Sequence, residues 1–253
     1  MNFDPTYNPY SLVGKTILIT GASSGIGSAT AIECAKLGAK CIITGRNEER
    51  LENTFAQLEG EGHSKIIVDL STNDGVELLV DLCPILDGVV ANAGYTQTTP
   101  INFIKEEKLQ GILQVNTISS ILLLKTLLKK KKLSKGTSVV YTCSLSGLGR
   151  VSIGNSMYAA SKGALHAFAK AAANELADKQ IRVNTVCPAM VETNILDAGT
   201  ITSEQIEIDK LKYPLKRYGR PNEVAWAIIY LLSDAAAWVT GTDMILDGGK
   251  LLR

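Results

Sequence analysis

Lys15-Thr-Ile-Leu-Ile-Thr-Gly21-Ala-Ser-Ser-Gly25-Ile-Gly27 decides how this chain folds. Residues 15–20 are a short apolar, β-branched run, the pattern of a buried parallel strand. A Gly-rich turn follows, then a helix-like stretch from Ser28 to Leu37. Strand, glycine turn and helix together make the geometry of a dinucleotide site. Backbone N–H groups of the turn approach a pyrophosphate, and the helix N-terminus adds partial positive charge. Side chains at Gly21, Gly25 or Gly27 would obstruct that approach or the packing of helix on strand. The spacing is Gly-x-x-x-Gly-x-Gly, not the common Gly-x-Gly-x-x-Gly. Glycine turns after strands are frequent, so the turn needs further features beside it.

Working outward, apolar strand-like runs fall at 15–20, 40–44, 65–69, 86–91, 137–143, 181–187 and 243–247. Helical stretches lie between them, the longest at about 101–132 and 155–179. That alternation predicts an α/β fold: a doubly wound Rossmann fold, its seven-stranded parallel sheet flanked by helices on both faces. No linker, repeat or low-complexity tract divides the chain, so residues 1–253 are expected to form one domain. Ligands of such a sheet bind beyond the carboxyl ends of its strands. Gly21, Gly45, Asp69, Asn92, Ser144 and Pro188 all fall at or just past predicted strand ends. A long irregular stretch at 191–218 reads as a functional loop or, alternatively, a plain surface insertion.

The second feature is Tyr158 and Lys162, four residues apart at the head of an Ala-rich helical segment. On a helix, positions i and i+4 share one face, so a phenol stands beside an ammonium. The positive charge favours phenolate over phenol, which suits a tyrosine to proton exchange near neutral pH. A cation near a helix N-terminus also opposes the macrodipole, an odd place for it on stability grounds. A plain surface Tyr/Lys pair is the alternative reading.

These motifs, in this order, resemble the short-chain dehydrogenase/reductase family, in its single-domain branch of NAD(P)-dependent oxidoreductases. The resemblance runs from about Leu12 to Gly249. Thr20-Gly-Ala-Ser-Ser-Gly-Ile-Gly27 resembles the family's cofactor glycine motif, and Ala91-Asn-Ala-Gly94 its Asn-Asn-Ala-Gly segment. Asn116, Ser144, Tyr158 and Lys162 fall where the family has its catalytic residues. Cys187-Pro-Ala-Met matches a segment usually read Pro-Gly, here Pro188-Ala189. Ser144 precedes Tyr158 by one residue more than in many relatives, and Ser146 competes for its role.

The resemblance implies reversible hydride transfer between nicotinamide and a carbonyl or alcohol. Tyr158 would be the general acid or base, Lys162 its modulator and a ligand of the nicotinamide ribose. Ser144 would bind the substrate oxygen, and Asn116 a water that links Lys162 to solvent. The cofactor would lie on Gly21, Ser23, Ser24, Gly25, Ile26 and Gly27, on Asp69 and Leu70, and on Asn92, Ala93 and Gly94. Pro188, Ala189, Val191 and Thr193 would form its nicotinamide wall, and residues 191–218 would be the mobile lid over substrate. After the second strand, Ile43-Thr44-Gly45-Arg46-Asn47 holds no carboxylate. An acid there would repel a 2′-phosphate, whereas Arg46 can pair with it, so NADP is expected over NAD. Arg46 as an exposed residue before a helix is the plainer alternative.

Other classes fit less well. A nucleotide-sugar epimerase would need a larger C-terminal substrate domain. A non-catalytic cofactor-binding scaffold would not need all four catalytic positions filled. A 3-oxoacyl-thioester reductase remains an alternative, although no distinct basic patch for a carrier protein is visible. The net charge of +1 gives no bulk attraction to nucleic acid or membrane. Lys129–Lys132 reads as a solvated helix end. The five cysteines form no C-x-x-C pair and read as buried thiols, with no metal site. His63 and His166 read as structural or exposed. Met1-Asn-Phe-Asp-Pro5 has no signal-peptide character, and the apolar run Ile118–Leu124 is too short to span a bilayer. A cytoplasmic enzyme is expected. The small apolar residues of 159–176 suit a helix–helix interface, and the resemblance implies a homotetramer with two-fold symmetries in which this helix and the one at 101–132 pair across an axis and Asp243–Leu252 forms the second contact.

Overall fold

A computed structural model describes residues 7–193 and 202–252. Seven strands form one parallel sheet: β1 (Thr16–Thr20), β2 (Lys40–Gly45), β3 (Ser64–Ile67), β4 (Leu86–Ala91), β5 (Leu133–Thr142), β6 (Arg182–Pro188) and β7 (Asp243–Leu246). Their order is β3-β2-β1-β4-β5-β6-β7. The chain runs outward from β1 in one direction, returns, and runs outward from β4 in the other. Every pairing between neighbours is parallel.

Alternation along each strand sorts the core into two layers. Leu18, Val89, Val139 and Tyr141 face one side and pack with α3 (Asn73–Leu82), α5 (Ser119–Lys129) and α6 (Ser156–Leu176). Ile17, Ile19, Ile43, Val90 and Val140 face the other, against α1 (Gly25–Lys36) and α8 (Pro221–Leu232). Both faces are covered, so strand residues of either parity are apolar. The remaining helices are α2 (Glu48–Phe55), α4 (Glu106–Leu113) and α7 (Ser203–Lys210).

Several boundaries differ from the sequence reading. Helix α1 begins at Gly25, not Ser28, because the last two glycines of the motif already have a place in its first turn. Strand β3 ends at Ile67, so Asp69 lies two residues beyond it. Strand β5 begins at Leu133, where Leu133 pairs with Leu86 before the register shifts at Gly88. The stretch 101–132 is not one regular helix. A short 3₁₀ turn at Ile101–Phe103 precedes α4, and a π turn at Gln114–Ile118 joins α4 to α5.

The continuous helical run Glu106–Lys129 is 24 residues long. By length and composition alone the whole run is long and apolar enough to cross a membrane, as Ile118–Leu124 by itself is not. Half of its most apolar window is buried inside the fold. Leu123, Leu124 and Leu127 give that side to the core. At its end Lys130 pairs with Glu77 and Asp81 of α3, so the lysine run is tied to a neighbouring helix. All five cysteines are buried and free. His63 accepts from the Cys41 N–H, and His166 contacts Asp243 at 3.0 Å.

Candidate active site

The carboxyl ends of β1, β2, β4, β5 and β6 open onto one crevice. The glycine turn forms its floor. Gly21 has φ +65°, and a Cβ there would lie 2.8 Å from the Ala93 Cα. A Cβ on Gly27 would lie 2.2 Å from the Gly21 carbonyl oxygen. Both absences let α1 and the β4 loop close on the turn. Gly25 has φ +57°, and the Thr193 methyl lies 3.2 Å from where its Cβ would stand. Thr193 therefore faces the turn from the far wall. Ser24 sits at the N-cap of α1 without making a side-chain cap, and no acidic residue occupies the first turn. The leading N–H groups are thus unclaimed by a side-chain cap, the arrangement that suits a bound phosphate.

Residues beside the turn hold it in shape. Asn92 donates its amide to the carbonyls of Thr20 and Gly21, each at 3.2 Å. The Thr20 hydroxyl accepts from the N–H groups of Asn92 and Ala93. Asn92 therefore spends its side chain on the turn itself. The Leu70 side chain belongs to the core, as does Val191. Ser23 reaches the end of β2, where its hydroxyl would lie 2.7 Å from a Cβ on Gly45.

Arg46 is exposed and lines a cavity of about 460 Å³ with Ser71, Tyr95, Gly111, Gln114 and Val115. The Ser71 N–H, 2.9 Å from its carboxylate, holds the Asp69 carboxyl below its ordinary value, and Arg46 adds to the shift. Tyr95, Gln114 and Ser71 were not singled out as cofactor positions from the sequence. Gln114 joins two of these segments by donating to the Ser71 carbonyl at 3.0 Å.

Toward the other end, α6 brings Tyr158 and Lys162 to the crevice. Lys162 is 4 % exposed, and its Nζ donates to the Thr142 carbonyl at 2.7 Å. It also lies 5.9 Å from the centre of the Tyr158 ring, which is half-buried. Asn116 is fully buried in the π turn. Its Oδ1 accepts from the Tyr95 N–H at 2.9 Å, and its Nδ2 donates to the Tyr95 carbonyl and to Ser161 Oγ. A Cβ on Gly94 would meet Asn116 Oδ1 at 3.0 Å and Lys162 Nζ at 3.3 Å, so these groups crowd one point.

Ser144 follows β5 in extended backbone and caps a 3₁₀ turn, Leu145–Leu148. Its Oγ accepts from the Ser146 N–H at 3.2 Å. The turn packs on α6 so closely that a Cβ on Gly147 would lie 2.8 Å from the Lys162 carbonyl carbon. Cys143, beside Ser144, is buried. A hydrogen bond with Cys187 and burial push its thiol well above the ordinary range, so it is no nucleophile. Pro188 ends β6, and the Ala189 N–H donates to the Leu246 carbonyl at 2.9 Å. Val191 bridges Gly219, joining the two ends of the stretch read as a lid. The part of that stretch at 194–201 lies outside the described residues.

Comparison with known proteins follows the same lines. A family model described as enoyl-(acyl carrier protein) reductase matches residues 21–250. The chain is 34 % identical to the 3-oxoacyl-(acyl-carrier-protein) reductase of Rickettsia felis, over 95 % of this chain and 98 % of that protein. The structure of a short-chain type dehydrogenase/reductase from Mycobacterium marinum superposes with a TM-score of 0.88 at 30 % identity, covering 97 % and 98 % of the two chains. A structure from Agrobacterium tumefaciens, described as a 2-deoxy-D-gluconate 3-dehydrogenase with bound NADP, gives 0.86 at 28 % identity, over 98 % of this chain and all of that one, 100 %. The chain belongs to the short-chain dehydrogenase/reductase family. It is an oxidoreductase of the NAD(P)-dependent class.

Gly27→Ala tests the floor of the crevice. The added methyl meets a backbone oxygen that cannot move without the turn. NADPH affinity, read by fluorescence titration, should fall by at least about tenfold, alongside an overpacking cost of about 1–3 kcal/mol in stability. Unchanged affinity would show that α1 need not pack so closely on the turn.

Proposed function

We propose that this protein is an NADP-dependent oxidoreductase that interconverts a carbonyl and an alcohol, with Tyr158 as general acid and base. The observation that carries the reading is the crowding of Lys162, Tyr158 and Asn116, with Ser144 heading the turn that packs on α6, at one end of a crevice whose other end holds a bare helix N-terminus and Arg46. Nicotinamide, when bound, supplies or accepts the hydride. Everything else falls to the chain. The first turn of α1 and Ser23, Ser24 and Ile26 receive the pyrophosphate. Arg46 pairs with the 2′-phosphate, and Asp69 and Leu70 border the adenine. Gly94, Pro188, Ala189, Val191 and Thr193 line the nicotinamide end, and residues 191–218 act as the lid.

Proton handling follows from the hydrogen bonds. Ser144 Oγ already accepts the Ser146 N–H, so its own hydrogen is free to donate to the substrate oxygen. That is where negative charge grows as a carbonyl is reduced. Tyr158 delivers the proton to the same oxygen, and takes it back in the oxidation direction. Lys162 is held in place by the Thr142 carbonyl beside it. Asn116, pinned on both amide atoms, keeps the π turn open so that its backbone can hold a water next to Lys162.

The chain's similarity to a 3-oxoacyl-(acyl-carrier-protein) reductase supports a 3-oxoacyl thioester as one substrate class. Its similarity to a 2-deoxy-D-gluconate 3-dehydrogenase supports keto sugar acids as another. A spectrophotometric panel of such carbonyls with NADPH separates them. The assembly is a homotetramer. Ala160, Ala164, Ala167 and Ala171 lie exposed at helical spacing on α6, a flat apolar strip suited to close helix–helix approach.

Tyr158→Phe should lower turnover by roughly 10²–10⁴-fold while NADPH still binds, because only the ionisable proton is removed. Activity within a factor of a few of the unaltered enzyme would sink the assignment. The unaltered enzyme should bind NADPH more tightly than NADH, and Arg46→Asp should reverse that order. The charge-assisted contact is worth about 10- to 100-fold in affinity. Equal dissociation constants for the two cofactors in the unaltered enzyme would show that Arg46 does not discriminate. Light scattering in line with size exclusion should return a tetramer mass at micromolar concentration, and a monomer mass would refute the interface.

A further inference from the structure

Asn155 stands at the N-cap of α6, the helix that carries Tyr158 and Lys162. Asparagine is among the best residues at that position, where its side chain normally accepts from an N–H of the first turn. Here it makes no such bond. Its Nδ2 instead donates to Ser146 Oγ at 3.3 Å, and its Oδ1 accepts from Thr96 Oγ1 at 3.3 Å. Next along the helix, the Ser156 hydroxyl is buried without a partner. A capping residue has been turned away from its helix to bridge two loops.

Those two loops flank the reacting end of the crevice. Ser146 lies in the 3₁₀ turn after Ser144, and its N–H is the donor to Ser144 Oγ. Ser146 is thus the middle of a chain: its N–H holds Ser144, and its hydroxyl is held by Asn155. Thr96 belongs to the segment that follows Gly94. That segment is tied to the same region a second time, where the Thr99 N–H donates to the Gly154 carbonyl at 2.7 Å. A Cβ on Gly154 would lie only 2.8 Å from the Thr98 methyl, so the two segments are in close contact there.

We infer that Asn155 is a positioning residue for the reaction: through Ser146 it holds the Ser144 hydroxyl in line with the substrate oxygen, and through Thr96 it fixes the facing loop. The inference rests on the carbonyl reductase reading above. At φ −101° and ψ 15° the Asn155 backbone lacks the extended conformation from which a side chain caps a helix, so its amide adds nothing to the end of α6. Both amide atoms are spent on Ser146 and Thr96.

Asn155→Ser separates the two roles. Serine caps helices as well as asparagine does, but its hydroxyl is too short to reach both Ser146 and Thr96. The melting temperature should therefore hold, since no cap is lost, and NADPH affinity should stay within about two-fold, since no phosphate-binding group is touched. The kcat for carbonyl reduction should fall about tenfold, as expected for the loss of hydrogen bonds that orient one donor in the transition state. Ser146→Ala should give a loss of similar size. The double variant should be no slower than the slower single one, because the two residues are links of one chain. An unchanged kcat in Asn155→Ser would overturn the inference, as would losses that multiply in the double variant. A fall in melting temperature that matches the fall in rate would overturn it too, by making the role structural. If the unaltered enzyme reduces no carbonyl with NADPH, the reductase reading itself fails. That outcome is distinct from active enzyme with an indifferent Asn155.

Discussion

Lys162 places an amine almost wholly inside the protein and gives it a neutral backbone carbonyl, Thr142, 2.7 Å away. Burying a basic nitrogen without a carboxylate beside it is costly, so its neighbours must be arranged to accept it. Much of the site follows from that constraint. The end of β5 supplies the carbonyl. Gly94 keeps clear the space where a side chain would touch both Lys162 and Asn116. Gly147 lets the turn after Ser144 lie directly on the lysine's own backbone. The Tyr158 ring stands one helical turn away and shares the same end of α6.

The opposite end of the crevice is built on a different principle. There the chain offers backbone N–H groups and withholds side chains. Glycines at the turn allow close approach, and the first turn of α1 carries neither a cap nor an acid. Asn92 and Thr20 tie the start of the turn to the loop after β4. One end of the crevice is thus made of removed atoms and the other of placed ones. The parallel sheet joins them, because its register aligns the carboxyl ends of β1, β2, β4, β5 and β6 along one line.

Much of this was legible in the residues. The glycine motif, the seven apolar runs and the Tyr158–Lys162 spacing carry the fold, because each expresses a local rule: strand alternation, turn geometry or helix period. What was not legible depends on tertiary contact. Nothing local says that Leu133 would extend β5, since the polar Lys-Lys-Leu-Ser-Lys-Gly context reads as loop and only pairing with β4 makes it strand. The contribution of Gln114 and Tyr95 to the Arg46 cavity needs the π turn to bring them round. The role of Asn155 rests on its bonds to Ser146 and Thr96, which no local pattern announces. Asn116 could be placed from its motif, but its π turn and its bonds to the Tyr95 backbone come from tertiary contact.

That π turn has a consequence for how the chain can vary in length. A π turn holds one residue more than regular α-helix would use for the same advance. Removing any one residue from Gln114–Ile118 would let the helix heal into an unbroken α pattern. Because the wide turn already absorbs the extra residue, α4 and α5 would keep their relative rotation. Ile112, buried on α4, and Leu123, Leu124 and Leu127, buried on α5, would still face the core together. Asn116 would lose the Tyr95 backbone. The extra residue therefore serves the site and not the packing: the core would survive its removal, and the placement of Asn116 on Tyr95 would not.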